Sequence, residues 1–211
     1  MRFLHTSDWH LGRLFHNIHL TSDQEYTLHA LADAAKKENV DAVVIAGDIY
    51  DRAVPPTEAV TLLDDILAKL SLEMRIPVIM IAGNHDSPVR ISYMSGVINR
   101  LNIHVVGKVG TEPVGVSLTD DQGSITTFWP LAYTDPETAR CELSNPDIHS
   151  HEQAILAQID LINKKKNSTH KHVIIGHAFV AGSEESDSER ALSVGGSGQV
   201  SASVFDGFDY V

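Results

Sequence analysis

Three short apolar runs in the first half of this chain each break off into a cluster of polar groups. Arg2 to Ser7, with Phe3 and Leu4, ends at Asp8-Trp9-His10. Asp41 to Ala46 is rich in β-branched residues and ends at Gly47-Asp48-Ile49-Tyr50-Asp51. Ile76 to Ile81 ends at Gly83-Asn84-His85-Asp86. Between the runs lie two stretches with helical spacing. Leu28, Leu31, Ala32 and Ala35 fall on one helix face behind a Ser22-x-x-Glu25 capping-box pattern, which predicts a helix of roughly 15 residues. Val60, Leu63, Leu67 and Leu70 mark a second helix, opened by Pro55-Pro56. Strands that are apolar throughout, alternating with amphipathic helices, predict βαβ units and a parallel sheet covered on both faces. Crossover handedness puts the C-terminal ends of such strands on one edge, where open α/β sheets hold ligands. The three polar clusters are therefore predicted to converge.

The second half reads differently. A short helix is expected over Val89 to Leu101, then strands at Ile103–Val106, Gly115–Leu118 and Ser124–Phe128. The last two are joined by the turn Asp120 to Gly123, so the sheet is expected to become antiparallel or mixed here. Residues 134–146 hold two prolines and no periodicity, which reads as a loop. Ile155, Leu156, Ile159 and Ile162 predict a helix near 151–165, ending in Lys164-Lys165-Lys166. His172 to Ile175 is a further strand, and it too ends in a polar pair, Gly176-His177. Residues 182–198, rich in Ser, Glu and Gly, read as a long exposed loop.

At 211 residues the chain suits one domain spanning 1–211. A single cysteine, Cys141, excludes an intrachain disulfide framework and a Cys-rich zinc site, and it fits a reducing compartment. No segment has the make-up of a signal peptide or the length of a membrane span, so the expectation is a cytoplasmic protein with no membrane partner. The net charge of −12 argues against a broad nucleic-acid surface on this chain alone. Acids that ligate metals would be offset locally by the bound cations.

A two-metal phosphoesterase centre needs oxygen and nitrogen ligands, a bridging carboxylate and an acid for the leaving oxygen. Asp8 and His10, Asp48, Asn84 and His177 supply such donors at four strand ends. Without thiolate, the set suits manganese, iron or zinc. A lone D-x-H or Gly-His pair is weak, and G-D-x-x-D alone is compatible with turn chemistry. The ordered series D-x-H, G-D-x-x-D, G-N-H-D and G-H, each behind an apolar run, is specific.

In this order the motifs resemble those of the calcineurin-like metallophosphoesterases. More narrowly they resemble the SbcD nuclease subunits of bacterial SbcC–SbcD complexes. The narrower likeness rests on His5 to Gly12, Ala46 to Pro56, Ala82 to Ser87, Gly176-His177, Ser188 to Arg190 with Val194 to Gly196, and Phe205 to Val211. The resemblance implies a metallophosphoesterase sandwich, an α/β fold of mixed β-sheets flanked by helices. It implies two divalent metal ions, manganese foremost. Asp8 and His10 would bind the first, Asp48 would bridge both, and Asn84 and His177 would bind the second. His85 would be the general acid that protonates the leaving 3′ oxygen after attack by a metal-activated hydroxide. Asp51 would be the carboxylate that orients it. Arg52 stands where related phosphatases hold phosphate, and Asp86 reads as a structural acid. The implied activity is metal-dependent DNA phosphodiesterase, an exonuclease and end-processing endonuclease in repair and recombination. The implied partners are DNA, an SbcC-type ATPase and a second copy in a homodimer. A further Gly-His-x-His motif of the family is expected after Val211, so the chain reads as a nuclease domain truncated before that motif, with low activity of its own. Two other readings remain: a phosphomonoesterase or nucleotide hydrolase on the same core, and a non-catalytic dimerisation module.

The remaining polar features have plainer explanations. His149/His151 and His170/His172 read as surface histidines rather than metal pairs. Gly195-Gly196-Ser197 could cradle phosphate or simply be a flexible loop. Trp9 reads as shielding and packing rather than a base-stacking platform. Lys164 to Lys166 read as solvated.

Overall fold

The computed structural model describes residues 1–181 and 198–211. In chain order the strands are β1 (Phe3–Thr6), β2 (Leu14–Phe15), β3 (Ile18–His19), β4 (Ala42–Ala46), β5 (Val78–Ile81), β6 (Ile103–Val106), β7 (Val116–Thr119), β8 (Ile125–Pro130), β9 (Lys171–Ile175), β10 (Phe179–Val180) and β11 (Gln199–Val200). The α-helices are α1 (Thr21–Lys37), α2 (Thr57–Ala68), α3 (Pro88–Ile91), α4 (Ser95–Ile98), α5 (Pro136–Glu142) and α6 (His151–Asn163). Strands β1-β4-β5-β6 form a wholly parallel sheet in that order. A second sheet, β7-β8-β9, pairs β7 antiparallel and β9 parallel to β8.

Side-chain alternation explains how the layers stack. On β4 and β5, Val43, Ile45, Val78 and Met80 face α1 and α2, where they pack with Leu28, Ala32, Leu63 and Ile66. Val44, Ala46, Ile79 and Ile81 face the other way and meet Val116, Phe128, Val173 and Ile175 of the second sheet. The far face of that sheet presents Trp129 and Ile174 to Ile159 and Ile162 of α6. The result is helix, sheet, sheet, helix, in agreement with an α/β sandwich of mixed sheets. The apolar runs are continuous because both faces of each central strand are buried. The prediction of a sheet covered on both faces holds, but the second cover is another sheet rather than helices. No helix among the described residues is long and apolar enough to cross a membrane.

Some local expectations fail for identifiable reasons. The capping box does not form: α1 begins at Thr21 with Leu20 at its N-cap and no side-chain cap. The two-residue ribbon β2–β3 delivers the chain instead, with Leu20 N–H donating to Arg13 O. The helix expected over 89–101 breaks at Met94, whose φ is 58°, into two four-residue pieces and a 3-10 turn. The loop expected over 134–146 contains α5. Asp135 caps it by accepting from Thr138 N–H and Oγ1–H. Only Ala139 of that helix is buried, so no apolar stripe advertised it. Val60 and Leu156 are exposed although they sit in the predicted stripes. His172 is buried rather than superficial. Its Nδ1 accepts from the Trp129 indole N–H and its Nε2–H donates to Asn167 O. Lys165 and Lys166 are engaged, the first with Glu112 and the second over the Phe208 ring at 3.4 Å. Residues 188–190 and 194–197 lie outside the described residues.

Candidate metal centre

The four polar strand ends meet on one edge because the loops after β1 and β4 continue the parallel ladder beyond the strands. Asp8 N–H donates to Gly47 O, His10 N–H to Asp48 O, and Leu11 N–H to Ile49 O. From α1, Gln24 clamps the first loop. Its Nε2–H donates to Trp9 O at 3.0 Å and His10 O at 2.8 Å, and its Oε1 accepts from Gly12 N–H. Asp86 ties the second loop to the third. It accepts from Ile49 N–H at 3.0 Å, Tyr50 N–H at 2.9 Å and Gly83 N–H at 2.9 Å. Burial pushes the Asp86 carboxyl up, against the opposing pull of those three donors. Glycine is required where the loops touch. A Cβ on Gly83 would collide with the main-chain N and carboxylate of Asp48, and one on Gly47 (φ +94°) would meet the His177 ring at 2.6 Å.

The Asp48 carboxylate, 3% exposed, stands at the centre. Its Oδ1 is 3.6 Å from His177 Nε2, and its Oδ2 is 3.7 Å from His10 Nε2 and 3.8 Å from His85 Nε2. Asp8 Oδ1 lies 3.8 Å from His10 Nε2. These separations are too long for hydrogen bonds. They suit donors on one cation, which at bond lengths of about 2.0–2.2 Å stand roughly 3–4 Å from one another. The tautomers agree. His177 Nδ1–H donates to Ala46 O at 2.9 Å, so Nε2 offers a lone pair; it faces the Asn84 Oδ1 at 2.8 Å and Asp48. Three electron-pair donors facing one point call for a cation. Asp8, Asp48 and His177 form one donor group and His10, Asp51 and His85 a second, so the donor atoms cluster across the expected pairing of Asp8 with His10. Asp8, His10 and Asp48 have φ of 56°, 44° and 48°, a left-handed conformation that costs free energy and concentrates at functional sites. Buried His10 Nδ1 has no hydrogen-bond partner, and desolvation holds this imidazole below its usual pKa, against the opposing pull of Asp48. The donor set therefore fits two divalent cations.

His85 lies beside this centre. Its N–H donates to Asp48 Oδ1, and its Nδ1–H donates to the main-chain O of Asp51 at 2.9 Å. The orienting contact thus comes from the Asp51 carbonyl. The Asp51 carboxylate instead lies 3.7 Å from His10 Nδ1. Every expected site residue, Asp8, His10, Asp48, Asp51, Asn84, His85 and His177, lines one cavity of about 740 Å³. Arg52 is exposed outside it, and Arg13 lines it instead. Trp9 packs in the core and donates to Thr6 Oγ1. Sequence reading missed Gln24, whose two-sided amide only makes sense once the first loop is seen wrapped around α1. It also missed Tyr133, whose N–H donates to Ala82 O and whose ring stands edge-on to His177 at 6.3 Å. Burial, then Asp135 and Asp48, push the Tyr133 phenol up.

Residues 1–204 match the family described as calcineurin-like phosphoesterase. Among solved structures, the chain is similar to the calcineurin-like phosphoesterase YfkN from Bacillus subtilis, at 12% identity and a TM-score of 0.46, over 88% of this chain and 64% of that one. It is also similar to a dimetal phosphatase from Danio rerio, at 14% identity and a TM-score of 0.44, over 83% of this chain and 69% of that one. The chain thus spans less than two thirds of the YfkN chain it matches. With nearly its whole length inside the family match, the chain belongs to the calcineurin-like phosphoesterase family.

Proposed function

We propose that this chain is the nuclease unit of an SbcD-type DNA phosphodiesterase, working with an SbcC-type ATPase on DNA ends in the cytoplasm. Two divalent cations, manganese foremost, would be held by Asp8 and His10 on one side and by Asn84 and His177 on the other, with Asp48 shared. When bound, such cations supply Lewis-acid neutralisation of phosphate charge and a water-derived nucleophile at neutral pH. The observation that carries the reading is the placement of Asp48, whose two oxygens each face a different donor group. The DNA-specific part is supported by the extended motifs His5 to Gly12 and Ala46 to Pro56.

His85 is the proton donor in this reading. Its Nδ1–H is spent on Asp51 O, which fixes the ring and leaves Nε2 turned to the centre. As the phosphorus–oxygen bond breaks, its electron pair stays on the leaving oxygen, and the Nε2 proton neutralises it. Asp51 carries the positioning carbonyl, and its carboxylate faces His10 Nδ1. Homodimerisation is supported by the exposed apolar side chains Val89, Tyr93, Met94 and Val97 on and beside α3 and α4. Manganese-dependent cleavage of DNA ends and of p-nitrophenyl phosphate, compared on the full-length protein, tests the function. DNA ends should be cut with the higher kcat/KM. Turnover of the small ester alone would favour a phosphomonoesterase and overturn the nuclease reading.

A further inference from the structure

The cavity of about 740 Å³ has two unlike ends. One holds Asp8, Asp48, Asp51, Arg13 and the imidazoles of the metal centre. At the other, around Tyr133, Ile155, Gln158, Phe179 and Phe205, the described lining carries no Lys, Arg, Asp or Glu. A phosphate belongs to the first end. The second suits a neutral group.

Gln158 shows what kind of neutral group. It lies on the apolar face of α6, one turn from both Ile155 and Ile162, where packing alone favours a hydrocarbon. It is 6% exposed and lines the cavity. Its Nε2–H donates to Ala154 O at 3.2 Å, while its Oε1 has no hydrogen-bond partner among the described residues. The residue is buried but its amide oxygen opens onto the cavity without a protein partner, so it is placed to accept a hydrogen bond from a group lodged there. Tyr133 borders the same space. Its hydroxyl lies 3.1 Å from His151 Nε2, and its ring is in contact with both His151 and His177. One aromatic ring therefore separates this end from the metal centre. Ile155, Phe179 and Phe205 complete an apolar wall.

We infer that this end, uncharged among the described residues, is a nucleobase subsite, in which the Gln158 amide reads the hydrogen-bonding edge of a base lodged beside Tyr133. A planar heterocycle matches both halves of the lining, since its faces are apolar and its edge carries donors and acceptors. A phosphotyrosine ring has the apolar faces but no polar edge for Gln158. The inference rests on the phosphoester-hydrolysing reading of the adjacent charged end.

The test uses 15N-labelled full-length protein without added metal, titrated separately with the four 2′-deoxynucleosides, with 2-deoxyribose and with L-phosphotyrosine. At least one nucleoside should shift the Gln158 side-chain amide resonances saturably, at concentrations where deoxyribose shifts nothing and phosphotyrosine shifts them less. Gln158→Leu should weaken that nucleoside roughly five- to tenfold, the worth of about one hydrogen bond. Tyr133→Phe, which removes only a hydroxyl, gives an independent arm with a smaller loss in the same direction, and it keeps the test alive if the leucine variant folds poorly. Equal shifts from nucleoside and deoxyribose, a stronger response to phosphotyrosine, or unchanged nucleoside affinity in the folded variants would overturn the subsite. Neither metal nor cleavage enters this measurement. Nucleoside binding together with failure to cut DNA would sink the nuclease reading alone, and the reverse pattern would sink the subsite alone.

Discussion

Replacing Asp86 is the sharpest test of how the site is held together. Its carboxylate is 6% exposed and accepts from three backbone N–H groups, Ile49 and Tyr50 in one loop and Gly83 in another. A hydrogen bond to a charged group contributes about 1.5–3 kcal/mol, and an abandoned buried donor costs about 1–3 kcal/mol. The three bonds share one acceptor group and are not additive, so Asp86→Ala should cost about 3–5 kcal/mol in total. Asp86→Asn keeps the shape, but its amide N–H₂ must face at least one of the three donors, so it should lose about 1–3 kcal/mol. Urea unfolding followed by tryptophan fluorescence reads both, since Trp9 and Trp129 are buried in different layers. Both indoles should report the same midpoint. An Asp86→Ala protein within about 0.5 kcal/mol of the parent would show that these loops are fixed by something else.

Gly83→Ala should abolish manganese binding while the rest of the fold survives, because its methyl would displace Asp48 from the centre; isothermal titration calorimetry checks this. His85→Gln should lower kcat by about 10²–10⁴ without lowering the metal content, as loss of a proton donor does. Asp135→Ala should destabilise the protein by about 1 kcal/mol through loss of the α5 cap. Hydrogen bonds from Thr138 hold the Asp135 carboxyl below the usual carboxylate range. A depressed folded pKa means the stabilisation is present above the unfolded value of about 3.9 and is lost as pH falls through the folded value. The difference between parent and variant in urea should therefore be flat from about pH 5 to 8 and shrink below about pH 4.

Much of the architecture was legible because it depends on periodicity. Val43/Ile45 against Val44/Ala46 needs only a strand buried on both faces, and the sequence run announces that. The convergence of Asp8, Asp48 and Asn84 followed from parallel connectivity, which places strand C-termini on one edge. What stayed hidden depends on partners distant in sequence. Gln24 clamps a loop twelve to fifteen residues upstream through three bonds, and nothing local distinguishes it from a solvated helix glutamine. Gln158 hides for the same reason. The sequence alone presents the second sheet as a continuation of the first, because the pairing of β7 and β8 is local while their stacking on β4 and β5 is not. The motif predicts the Asp51 carboxylate at His85, yet the turn presents its carbonyl there, a choice set by backbone dihedrals.

The central claim is that one carboxylate joins two cations at the meeting point of four loops. Anomalous diffraction from manganese-loaded crystals of the full-length protein tests it most directly. Two anomalous peaks about 3.5–4 Å apart, both within bonding distance of Asp48, with Asp8 and His10 on one and Asn84 and His177 on the other, are the predicted result. A single ion that leaves one Asp48 oxygen uncoordinated, or manganese bound away from these loops, would contradict it.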